Sequence, residues 1–150
     1  MRRLARLTAF PSADSWNVPA STTWRRINSG SSIGEHYVEF ILSDSTFVKA
    51  ESLIEVSEGG GSGQYKYYFG FGVNSTTANS ATQSFGYDEG FVNGAPGMAA
   101  VFAKYESETA AGKVTLNMVE QNTGSNRAVT AYGDNGGTIF QSGMIVEVML

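Results

Sequence analysis

Between Thr46 and Val56 the chain alternates with a period of two. Val48, Ala50, Ser52, Ile54 and Val56 are apolar or small, and Lys49, Glu51 and Glu55 fall between them. Successive side chains of a strand point to opposite faces, so the pattern requires a sheet with one face buried and the other wet. The glycine-rich stretch Glu58-Gly59-Gly60-Gly61-Ser62-Gly63 ends the run and reads as a hairpin tip. Gln64–Val73 follows, with Tyr65, Tyr67, Phe69, Phe71 and Val73 on one face and Lys66, Tyr68, Gly70 and Gly72 on the other. Glycine weakens a strand unless something must come close to it. The second face therefore predicts contact with another subunit, with Tyr68 as the aromatic left for that interface.

Further strands are expected at 22–28, 36–43, 98–105, 113–121, 126–132 and 143–150, separated by turns such as Asn122-Thr123-Gly124 and Gly133-Asp134-Asn135-Gly136-Gly137. Eighteen glycines against three prolines suit this reading and disfavour long helices. Short strands at intervals of about ten residues indicate an all-β fold, a single antiparallel β-sandwich or jelly roll. A chain of 150 residues without cysteine can bury enough surface to fold as one domain without a disulfide. The expected division is an N-terminal arm over residues 1–24 and the sandwich over 25–150. The polar connection 74–96 is long enough to be functional or to hold structure of its own. Its aromatics Phe85, Tyr87 and Phe91 are candidates for subunit or receptor contact, or for a small core beneath the loop.

Charge is distributed unevenly. Arg2, Arg3, Arg6, Arg25 and Arg26 face only Asp14 within the first 26 residues, although the net charge of the chain is −4. An acidic body does not suit a nucleic-acid partner, whose affinity rests on neutralising phosphates. A basic arm does suit docking on an acidic protein surface, because arginine forms bidentate, weakly hydrated pairs. Arg2, Arg3, Arg6, Arg25 and Arg26 are the expected docking charges, with Phe10 and Trp16 as apolar anchors. Every strong strand signal lies after residue 22, so removing residues 1–10 is expected to leave the sandwich folded. No stretch approaches the roughly 20 apolar residues of a membrane-spanning helix, and no membrane partner is expected.

Chemistry leaves few traces. His36 is the only histidine and cysteine is absent, which removes Cys-His pairing and leaves a single ring for any Ser-His-Asp arrangement. Asp88-Glu89 and Glu106-x-Glu108 are the close acid pairs, and solvated acids are the expected account of both. The glycine run lacks the Gly-Lys-Ser/Thr ending of a phosphate loop, and the oxygen spacing of a calcium loop is missing. No catalytic residue, metal or cofactor is expected. Asn74-Ser75-Thr76 matches a glycosylation sequon in form alone.

The order of signals over residues 22–150 resembles a domain of tailed-bacteriophage structural proteins, related in shape to the tumour-necrosis-factor and complement-C1q jelly rolls. The likeness is carried by Thr22-Thr23-Trp24-Arg25-Arg26-Ile27, by the runs 37–42 and 47–56, and by the aromatic strand 65–73. Ala111-Gly112-Lys113-Val114-Thr115-Leu116 and Ser142-Gly143-Met144-Ile145-Val146-Glu147-Val148 extend it. The resemblance implies a non-enzymatic homotrimer on a virion, at the capsid surface or tail. There it would be a capsid decoration (cement) subunit whose partner is the major capsid protein or another virion protein. The alternative it implies is a receptor- or carbohydrate-binding head of a tail or fibre, with a glycan as ligand. A polysaccharide-degrading enzyme using acids of the 74–96 loop is a third possibility from a different class.

Overall fold

The computed structural model describes residues 4–9, 15–27, 37–58, 65–77, 82–84, 87–89, 98–123, 129–132 and 143–149. Among them the strands are β1 (Leu4–Ala9), β2 (Ser15–Val18), β3 (Ser21–Arg26), β4 (Tyr37–Leu42), β5 (Thr46–Glu58), β6 (Tyr65–Val73), β7 (Thr82–Ser84), β8 (Tyr87–Glu89), β9 (Met98–Thr109), β10 (Gly112–Asn122), β11 (Val129–Tyr132) and β12 (Gly143–Met149). All pairings are antiparallel and fall into two sheets. The fold is a β-sandwich, as the alternation required.

The first sheet is organised by β5. One edge of β5 pairs with β9 from Thr46↔Thr109 to Ser57↔Met98, and β7 pairs with the far side of β9. The other edge is shared, with β12 beside residues 48–53 and β11 beside residues 55–58. β1 pairs with β12 and β2 with β11, so β1 and β2 also lie end to end along the outer edge. The second sheet repeats the device around β10. β6 runs along one edge of β10, while β4 takes residues 112–117 of the other edge and β3 takes residues between 119 and 122. β8 pairs with β6.

The core lies between the sheets. Val48, Ala50, Ile54 and Val56 of β5 meet Tyr67, Phe69 and Phe71 of β6 and Val114, Leu116 and Met118 of β10, all of them buried. Fully burying side chains of this size contributes roughly 1.5–3 kcal/mol each, which makes this set the main source of stability. The chain passes directly from β9 in one sheet to β10 in the other. Gly112 there has φ 120°, with nothing within 4 Å of where a Cβ would stand. Backbone conformation, rather than space, is what requires glycine at that corner.

Three expectations need correction. The described part of residues 1–24 does not stand apart from the body, because β1 and β2 are laddered into the first sheet. The close approach at Gly72 is made by the chain itself: a Cβ there would stand 2.2 Å from the Ser75 carbonyl oxygen and 2.8 Å from that of Thr77. In line with the expectation of structure of its own, the 74–96 connection carries β7 and β8, each a short strand paired to the edge of a sheet, which leaves one further correction. Glu55, expected on the wet face of β5, is fully buried.

Candidate functional site

Two polar constellations stand out, one inside the sandwich and one on its surface. The inner one is centred on Glu120 of β10, which is fully buried. Arg25 donates to its Oε1 through Nε at 3.0 Å and Nη2 at 2.9 Å. The Trp16 indole N–H at 3.1 Å and the Tyr67 hydroxyl at 3.0 Å donate to its Oε2. Arg25 also donates to the Asn17 carbonyl at 2.9 Å, and Asn122 Nδ2 donates to the Val18 carbonyl at 3.1 Å. These contacts tie β2 of one sheet to β3, β6 and β10 of the other.

Burial pushes the Glu120 pKa up, opposed by Arg25, Trp16 and Tyr67, and burial beside that carboxylate drives the Tyr67 hydroxyl well above its ordinary value. Such a carboxylate could serve as an acid in an open site. Here it is sealed by its own donors and acts as a latch between the sheets.

The outer constellation is an open cleft of about 580 Å³ on the exposed face of the second sheet. It forms where β3 ends and β4 begins along the same edge of β10. Arg26, the register partner of Val119, and Tyr37, the register partner of Asn117, supply one wall. The Arg26 guanidinium lies 5.1 Å from the centre of the Tyr37 ring, within cation–π range. Thr115 and Asn117 of β10 form the floor, Glu39 of β4 closes one end, and the turn at Asn74–Thr76 forms the opposite wall.

Asn74 sets that wall. Its φ is 52°, a left-handed conformation that asparagine tolerates better than most residues. Its backbone N–H donates to the Thr115 carbonyl at 2.8 Å, and its Oδ1 accepts from the Thr115 N–H at 2.8 Å. The side chain thus takes the place of one more residue of β6. Asn117 Nδ2 donates to the Ser75 carbonyl at 3.0 Å and holds the turn down. Glu39 accepts from Lys113 at 3.1 Å and from the Thr115 hydroxyl at 2.9 Å, and these bonds hold its carboxyl below the usual range. Two buried atoms of the cleft residues, Arg26 Nε and Asn117 Oδ1, have no hydrogen-bond partner.

No protein-family model matches this chain, and no curated protein aligns with it.

The residues singled out from sequence are scattered by the fold. Trp16, expected as an apolar anchor, is buried and donates to Glu120, and Arg25, expected as a docking charge, is half-buried and bonded to the same carboxylate. Arg26 is in the cleft. Arg6 is the register partner of Glu147, which pairs in turn with Lys49, itself opposite Glu106. Tyr68 is half-buried beside Gln121. Tyr87 and the acids Asp88 and Glu89 fall in β8, paired with Tyr67, Lys66 and Tyr65. Glu106 is in an ion pair with Lys104 at 2.6 Å. Arg2, Arg3, Phe10, His36, Phe85 and Phe91 lie outside the described residues. Sequence reasoning missed Tyr37, Glu39, Asn74, Asn117 and Glu120. The strongest available signal was at Glu120, which continues the core-facing series Val114, Leu116, Met118.

Proposed function

We propose that this chain is a non-catalytic subunit of a virus particle, a capsid-decorating sandwich that works through protein contacts with the shell and with its own copies in a trimer. The observation that carries this reading is the filled interior. Among the described residues the space between the sheets is occupied by fully buried Tyr67, Phe69, Phe71, Ile54, Leu116 and Met118. Whatever the protein binds, it binds on its outside. The acids support the reading as well, since Glu120 is held by buried donors and Glu39, Glu51 and Glu106 are each in an ion pair with a lysine.

The described part of the basic segment is paired into the sheets. One end of the sandwich is better suited to attachment. Ile41 is 74% exposed and Phe47 is 52% exposed, and they flank the 43–45 turn that joins the two sheets. They lie on the outer faces of different sheets, and each offers apolar area to a protein seated at that end. Adding purified protein to particles that lack it tests the reading. Intact protein binds in stoichiometric amounts, and an Ile41→Ser/Phe47→Ser double variant binds in clearly reduced amount. No binding of the intact protein would reject the proposal.

A second reading, a glycan-binding head of a tail or fibre, is favoured by a separate observation, the polar cleft between β3 and β4. It shares the sandwich and the virion setting but places the function at the Arg26–Asn117 surface.

A further inference from the structure

We propose that the cleft at the junction of β3, β4 and β10 is a binding site for an uncharged saccharide. The inference deepens the glycan-binding reading, but its chemistry rests on the cleft alone and does not depend on where the protein sits. Size is the first constraint: about 580 Å³ is within the roughly 300–1,000 Å³ typical of small-molecule sites and suits one or two sugar rings.

Charge is the second. Arg26 and Glu39 are the two ionisable side chains of opposite sign in the lining. A bound anion would meet the Glu39 carboxylate, and a bound cation would meet the Arg26 guanidinium. A neutral ligand meets neither penalty.

The third constraint is the mixture of hydrogen-bonding groups. Arg26 offers donors only, the Glu39 carboxylate offers acceptors, and among the described residues the buried Asn117 Oδ1 and Arg26 Nε are an acceptor and a donor without hydrogen-bond partners. An ionised carboxylate ligand is acceptor-only and cannot satisfy Asn117 Oδ1. A hydroxyl both donates and accepts, so adjacent hydroxyls of one ring can serve Asn117, Arg26 and Glu39 together. Buried polar atoms without partners are uncommon, and two of opposite type in one cleft call for such a ligand.

The Tyr37 ring completes the site. Aromatic faces are where the C–H faces of sugars stack, and here the Arg26 guanidinium covers that face. Arg26 and Tyr37 are both half-buried, so stacking a sugar on the Tyr37 ring requires the guanidinium to move aside. That movement frees the Arg26 Nε for a sugar hydroxyl.

The test is an NMR titration of the full chain with maltose, lactose and chitobiose, with N-acetylneuraminic acid and inorganic phosphate as charged probes. At least one neutral disaccharide is expected to shift the signals of Tyr37, Glu39, Asn74–Thr76, Thr115 and Asn117. Arg26→Met and Glu39→Ala should each weaken that binding about tenfold, or about 1.4 kcal/mol. Tyr68→Ala, on the same sheet but outside the cleft, should leave it unchanged, and thermal unfolding of each variant separates lost binding from lost fold. If the variants unfold, the wild-type shift map decides alone. No response to any neutral sugar, a response elsewhere on the surface, or a preference for the charged probes would overturn the proposal. Failure here leaves the particle-binding experiment untouched, so the two readings fail separately.

Discussion

Glu120 occupies the core-facing position of β10 after Met118, where its neighbours in the series are apolar and buried. A carboxylate there is tolerable only because Arg25, Trp16 and Tyr67 all donate to it. Breaking a buried pair by removing one partner typically costs about 3–5 kcal/mol, so Glu120→Ala is expected to destabilise the fold by that order in urea titration. Trp16→Phe, which removes one donor and keeps most of the ring, should cost about 1–2 kcal/mol. The pH dependence follows from the raised pKa. A carboxyl whose folded pKa lies above its unfolded value holds its proton more tightly when folded. Its contribution is fully present below the unfolded pKa and is lost as pH rises through the folded one. Glu120→Gln should therefore flatten the stability profile on the upper side of the ordinary carboxylate range, and a steeper fall in the variant would contradict the burial argument. Glu39 runs the other way. Its lowered pKa makes the Lys113 and Thr115 contacts lapse as pH falls through the folded value.

At the scale of elements, the strands from β3 onward were largely legible, because alternation over runs such as 46–56 and 113–121 assigns faces directly. Alternation says which face a residue takes but not what covers that face. That is why Glu55 was expected in water, and why the Gly72 side of β6 was assigned to another subunit. The cover over Gly72 comes from the turn just after β6, held by Asn74 and Asn117, and its geometry depends on contacts with β10. β1 was legible only as one of two options, since Leu4, Ala5, Leu7 and Phe10 could supply one short strand or lie along a neighbouring surface. Leu4–Ala9 carries arginines and is short, and only its six-residue ladder with β12 makes it a strand. Deleting residues 1–10 is accordingly expected to lower the thermal midpoint and to promote aggregation through the newly bare edge of β12, the reverse of what an arm would do. Unchanged melting would restore the arm. Gly72→Ala should cost about 1–3 kcal/mol, since the added methyl group meets backbone oxygen. For a domain of this size that lowers the midpoint by roughly 2–4 °C per kcal/mol.

For the whole molecule, the cleft was the least legible feature. Arg26, Tyr37, Asn74 and Asn117 are far apart in the chain and meet because β3 and β4 share one edge of β10. No local pattern encodes that meeting. The same sharing of an edge is repeated in the first sheet by β11 and β12 along β5. The homotrimer is carried by the resemblance, and sedimentation equilibrium at micromolar concentration checks it, with a monomer counting against that part of the proposal. The central claim, that this is a structural subunit of a virus particle, is tested most directly by cryo-electron microscopy of particles purified with and without the chain. The expected result is additional density at the capsid surface or tail, shaped as this two-sheet sandwich and seated by the end that carries Ile41 and Phe47. Particles indistinguishable in the two preparations, with the protein left free in solution, would contradict the account.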